Sequence, residues 1–158
     1  MQRWYRILCP LSERTEGFYY EGGVVVEISE KALSLHDQGL NCAQSVLCAC
    51  SEYTGLNSAA AEAVSAGFGG GMRSGEVCGA ISGAIMALGC GISRANPDSP
   101  NCKTQTANAT RECVKRFREK YGCIRCLELK RAGISCDDLI AFGAEQAEAI
   151  LNNTQIEE

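Results

Sequence analysis

A chain of 158 residues that is 46% hydrophobic and only 22% charged carries enough apolar material for one domain with a real core, and is too apolar for disorder. Its formal charge of −4, with Lys and Arg dispersed, excludes the clustered basic surface that nucleic-acid phosphates require. Eleven cysteines form an odd set, and Met1–Pro10 has no apolar run of signal length, so the expected setting is reducing cytoplasm rather than a disulfide scaffold. The longest uncharged stretch, Val77–Ser93, is interrupted by Gly79, Gly83, Gly89 and Gly91, and reads as a buried helix rather than a membrane span.

Residues 1–26 mix Trp4, Tyr5, Phe18, Tyr19 and Tyr20 with charges and lack a helical pattern. They read as an irregular N-terminal tail, with Val24-Val25-Val26 the one edge-strand candidate. Residues 27–158 read as a helical, cysteine-rich domain. Ser29 caps a first helix to Asp37, stopped by Gly39. A second runs Cys42–Tyr53 and ends at Gly55. A third covers Ser58–Ala66, rich in alanine, before Gly67-Phe68-Gly69-Gly70-Gly71 breaks the chain. That glycine run reads as a packing or hinge element in preference to an anion site with Arg73.

The fourth helix is expected over Glu76–Leu88, where Gly79 with Gly83 and Ala80 with Ala84 form small faces that admit a close neighbour. After the loop Asn96-Pro97-Asp98-Ser99-Pro100, Asn101 caps a long amphipathic helix to Tyr121. Cys126–Arg131 is a short helix, and Cys136–Leu151 is the last. The fold class predicted is all-α, a compact bundle of about five to seven helices with short links.

Cys42, Cys78, Cys126 and Cys136 each fall where a helix is beginning. Backbone N–H groups and the positive end of a helix dipole favour thiolate there, so these four are the expected reactive thiols. Asn41-Cys42-Ala43-Gln44 and Ser135-Cys136-Asp137-Asp138 place a capping residue before the cysteine and an acceptor three positions after the cap. Cys126 is expected to be the least buried of the four, with Arg125 adding positive charge. Cys48, Cys50, Cys90 and Cys113 lie inside helices and read as core hydrophobes. Cys102 follows Asn101 as Cys42 follows Asn41, and nothing else marks it. His36, the single histidine, sits where a helix C-terminus gives it a favourable dipole.

Cys123-Ile124-Arg125-Cys126 is the strongest local motif, a spacing that suits disulfide exchange or half of a zinc or iron–sulfur site. A thioredoxin context of strand and crossover helix is missing around it.

Asn41-Cys42-Ala43-Gln44, Gly69-Gly70-Gly71-Met72-Arg73 leading to Cys78-Gly79-Ala80-Ile81-Ser82-Gly83-Ala84, Phe117-Arg118-Glu119-Lys120-Tyr121-Gly122 leading to Cys126, and Cys136 together resemble the prokaryotic C_GCAxxG_C_C family. The resemblance spans about Glu27 to Leu151. It implies a redox-active protein whose characteristic cysteines map onto Cys42, Cys78, Cys126 and Cys136, with Cys123 an addition beside the third.

Three functions fit this reading. The first is a cytoplasmic redox protein using the four cysteines for thiol–disulfide or electron-transfer chemistry with an unidentified redox partner. The second is a metal-binding protein holding zinc or an iron–sulfur cluster with the same thiolates, Cys123 being a further ligand candidate. The third is a non-catalytic helical interaction module. Neither nucleic acid nor membrane is an expected partner. The two active readings require the four thiols to converge.

Overall fold

The computed structural model describes residues 27–154, an all-α arrangement of eight α-helices among the described residues. The Val24-Val25-Val26 candidate lies outside them, as does Cys9. Helix α1 is Ile28–Asp37, α2 Cys42–Ala49, α3 Ser51–Thr54, α4 Ser58–Ser65, α5 Gly79–Ala95, α6 Cys102–Tyr121, α7 Cys126–Arg131 and α8 Cys136–Thr154. A 3₁₀ turn over Ala66–Phe68 and a turn over Gly71–Gly75 connect α4 to α5. The count exceeds the expected five to seven because Cys50, at ψ 16°, breaks the expected second helix into α2 and the single turn of α3.

Other boundaries move for identifiable reasons. Helix α1 starts at Ile28 with Glu27 as its cap residue, so Ser29 lies inside the first turn instead of capping it. Asn101 precedes α6 without a side-chain capping bond, and its own N–H donates to Ser99 Oγ at 3.2 Å. Helix α5 runs on to Ala95 through Gly89 and Gly91, because a Cβ at Gly91 would stand 2.6 Å from Leu151 Cδ2. Tight packing against α8 holds the helix where intrinsic propensity would release it.

Helix α5 is the centre of the molecule, packed on α2, α8, α6 and α3, while α1 lies across α8 and α2. The expected small face is real. A Cβ at Gly83 would meet the Ala43 carbonyl oxygen at 2.6 Å, and one on Gly143 of α8 would meet the Ala80 oxygen at 3.0 Å. Leu47, Ile81, Leu88, Ile92, Phe117, Leu129 and Ile140 complete a core without solvent access. Phe142 meets Phe117 and Tyr121 edge to face at 4.9 and 5.4 Å, Phe117 and Tyr121 lie tilted at 6.0 Å, and Tyr121 donates its hydroxyl to the Asp138 carbonyl, tying α6 to the start of α8.

Candidate functional site

Two of the four helix starts are built locally. Asn41 Oδ1 accepts from the N–H groups of Ala43 (3.0 Å) and Gln44 (3.2 Å), and Gln44 Oε1 accepts from the Asn41 N–H at 3.0 Å. This reciprocal capping box makes Cys42 the first residue of α2, as its sequence implied. Asn41 also donates to the Ala66 carbonyl, and Gly69 lies so close to the Asn41 side chain that a Cβ would stand 2.6 Å from it. At the other capped start, Ser135 Oγ accepts from the Asp138 N–H at 3.0 Å and donates to the Asp138 carboxylate at 2.7 Å, placing Cys136 first in α8.

The other two starts depend on chain pairing. The expected fourth-helix start at Glu76 is three residues early: Glu76–Cys78 are extended, and Cys78 is the residue preceding α5. Val77 pairs antiparallel with Arg125, the Cys78 N–H donating to the Ile124 oxygen at 2.9 Å and the Cys126 N–H to the Glu76 oxygen at 2.6 Å. On such a ladder Cys78 and Cys126 share one face. Beside it the chain makes a left-handed turn, with Gly70, Gly71, Met72 and Arg73 all at φ between 55° and 65°. Left-handed backbone costs roughly 1–2 kcal/mol per non-glycine residue, so Met72 and Arg73 are strained. Gly71 is indispensable there, because a Cβ would stand 2.6 Å from the Glu76 oxygen and 2.8 Å from Cys126 Cβ.

Cys42, Cys78, Cys126 and Cys136, far apart in sequence, therefore meet. The thiol of Cys136 is within hydrogen-bonding reach of Cys42, and the charges of Cys136, Cys78 and Cys126 all bear on Cys42, in that order. Cys126 and then Cys136 bear on Cys78. Gly79 closes the cluster from α5, a Cβ there falling 3.2 Å from Cys42 Cβ.

Burial overturns the expected thiolate activation at two of these positions. It pushes the Cys42 thiol up to about 12, helped by the neighbouring Cys136 and Cys78. It lifts Cys78 to about 11, even though the Ala80 and Ile81 N–H groups favour its thiolate. A helix start offers at most about 2 kcal/mol, or roughly 1.5 pKa units. Burial can impose 3–5 units on a fully buried group, so desolvation wins. Cys126 is only 7% exposed, contrary to the expectation that it would be the least buried. Nor does Arg125 serve it as a free positive charge. The guanidinium is bound to Glu76 at 2.9 Å and to Glu128 at 3.0 Å, and so locks the bridge instead.

The remaining candidates fall outside the cluster. Cys123 is half-buried at the edge of the core. Cys48, Cys50 and Cys113 are core residues, as expected, with burial driving Cys50 and Cys113 up to about 12. Cys90 is only half-buried, and Cys102 lies 3.5 Å from Ser93 Oγ. His36 contacts the Leu40 carbonyl through Nδ1 at 2.7 Å, and its Nε2 stands 3.8 Å from Asp137, next to Cys136. Among the described residues no group of three or more His, Cys, Asp or Glu is arranged to hold a metal ion, and no disulfide is closed between cysteines. No helix among them is long and apolar enough to cross a membrane. The Gly69–Gly71 run is the part of the site that composition alone undervalued. It read as a hinge or packing element, and it seats both Asn41 and Cys126.

Neither a curated protein nor a solved structure matches the chain. A family model described as "Putative redox-active protein (C_GCAxxG_C_C)" matches residues 40–150, a stretch that begins just before the Asn41 cap and contains all four converging cysteines. The chain belongs to the C_GCAxxG_C_C family.

Proposed function

We propose that this protein is a thiol–disulfide oxidoreductase that works through Cys42, Cys78, Cys126 and Cys136. The observation that carries the reading is their convergence from four separate helix starts, a placement that core packing alone does not demand. Proximity supplies what disulfide chemistry needs, a second thiol beside any sulfur that has formed a mixed disulfide with a partner. Cys42, pushed up to about 12 by burial and by Cys136, keeps its proton at neutral pH and donates it toward the Cys136 sulfur. Cys136 is then the attacking sulfur and Cys42 the resolving one. A cycle of this kind needs a dithiol or disulfide partner and suits a reducing compartment, where the thiols are restored.

The test is an equilibrium titration of the anaerobically purified full chain in glutathione redox buffers, with alkylation and mass-spectrometric mapping of every cysteine. The expected result is one or two disulfides within this set of four, formed and broken reversibly while the helical circular-dichroism signal is kept. Two results would overturn the proposal. One is a folded chain in which these four never link. The other is a stoichiometric metal, found by elemental analysis, that is lost in Cys42→Ser and protects the thiols from oxidation.

A further inference from the structure

The four thiols differ in burial and in the backbone that delivers them. Cys42 and Cys136, each at a capped helix start, are half-buried and within hydrogen-bonding reach of one another. Cys78 and Cys126 are 2% and 7% exposed and share a face of the Val77–Arg125 ladder, and Cys126 is the thiol that bears most on Cys78. We infer that the cluster is a two-stage relay, in which Cys42 and Cys136 exchange with an external disulfide and Cys78 and Cys126 hold a second electron pair behind them. This rests on the thiol–disulfide reading above.

The steps balance. Cys136 attacks an external disulfide RSSR, forming a mixed disulfide and releasing one RSH. Cys42 attacks the mixed disulfide, closing Cys42–Cys136 and releasing the second RSH, so two electrons and two protons have left the protein. Cys126 or Cys78 then attacks the Cys42–Cys136 bond, and the other member of the inner pair resolves the intermediate. A Cys78–Cys126 disulfide forms, while Cys42 and Cys136 recover two electrons and two protons as thiols. A second RSSR repeats the first stage, so the fully reduced protein delivers four electrons to two external disulfides.

Geometry gives the inner stage a cost in motion. Diagonal neighbours on a ladder stand about 7–8 Å apart at Cα, at the edge of disulfide reach. Closing Cys78–Cys126 therefore draws the two segments together. The piece placed to follow is the strained turn whose Gly71 rests on Cys126.

The full reduced chain is mixed with oxidised glutathione, acid-quenched at increasing times, alkylated and mapped. The relay requires a glutathione adduct and then Cys42–Cys136 at early times, with Cys78–Cys126 appearing later and two disulfides per chain at the end. In the double variant Cys42→Ser/Cys136→Ser, Cys78 and Cys126 should oxidise more than about ten-fold more slowly, because their own access is poor. In Cys78→Ser/Cys126→Ser, the chain should stop at one disulfide, between Cys42 and Cys136, and take up two oxidising equivalents where the unaltered chain takes up four. Unaltered oxidation of the inner pair without the outer one, or predominant crosswise links such as Cys42–Cys78, would overturn the relay and leave the broader redox reading standing. Absence of any link among the four sinks both. If a double variant does not fold, the order of links in the wild-type time course decides alone.

Discussion

The site is assembled in two ways. Cys42 and Cys136 are delivered by capped helices, each held by hydrogen bonds within four consecutive residues. Cys78 and Cys126 are delivered by a backbone bridge between distant segments, steadied by the Glu76–Arg125 ion pair and by a glycine turn that leaves no room for a side chain. The capped half stays partly open to solvent and the bridged half is closed. The difference teaches that a helix start is not by itself an activating environment. Burial lifts Cys42 in the capped half to about 12 and Cys78 in the bridged half to about 11, so desolvation outweighs the helix dipole at both kinds of start.

The largest effect is expected where the two halves meet. Gly83→Leu would drive a side chain into the Ala43 backbone, which leaves only 2.6 Å even for a Cβ. Overpacking costs typically 1–3 kcal/mol, and a backbone obstacle places this variant at about 3 kcal/mol or beyond. Urea unfolding should show a midpoint lowered to match, and disulfide mapping should show the pairing between α2 and α5 disturbed. An unchanged midpoint would mean that α2 and α5 do not pack as closely as described.

These two halves were not equally legible. The Asn41 and Ser135 caps are directly legible because capping is chemistry among near neighbours, and they mark Cys42 and Cys136, whereas Cys78 and Cys126 are marked by the glycine breaks before them and by family resemblance. The bridge is not legible: nothing near Glu76-Val77-Cys78 announces that Ile124-Arg125-Cys126 will pair with it, so the sequence points to a start of α5 three residues before the real one. The continuation of α5 through Gly89 and Gly91 depends on Leu151, again a distant partner. The Cys42 and Cys78 thiols shift upward, against the direction the segment implies, for the same reason: desolvation is a property of the packed molecule and the helix dipole a property of the segment. The small face of Gly79 and Gly83 was legible because its spacing repeats along one helix.

Alkaline pH should expose the shared cause behind the shifts. Cys42, Cys50, Cys78 and Cys113 all lose their protons later in the folded chain than the ordinary value of 9.0. The folded state binds more protons than the unfolded one above that pH, so stability is fully present below about 8 and falls as pH rises through about 9 toward 11–12. For the enclosed Cys50 and Cys113 the loss should approach about 1.4 kcal/mol per pH unit each. Anaerobic urea midpoints under reductant from pH 7 to 10 measure it. Cys113→Ala should flatten the slope. A flat profile in the unaltered chain would mean that these thiols are more hydrated than their burial implies.

The smallest expected effect separates cap from bridge most cleanly. Asn41→Ala removes the acceptor for two N–H groups and the bond to Ala66, and should cost about 1 kcal/mol, within the usual 0.5–2 kcal/mol for a lost cap. Its local signature should be faster alkylation of Cys42, with Cys78 unaffected. Arg125→Ala removes an exposed double ion pair, and exposed pairs contribute little to global stability. The unfolding midpoint should barely move, while hydrogen exchange at the Cys78 and Cys126 amides, the two that hold the bridge, should quicken. Alkylation should follow the same division, with Cys126 becoming more reactive and Cys42 unchanged. If Arg125→Ala instead opens all four thiols together, the cluster moves as one unit and the distinction between a capped half and a bridged half is lost. If it opens none, the backbone bonds and the Gly71 contact hold the bridge without the ion pair.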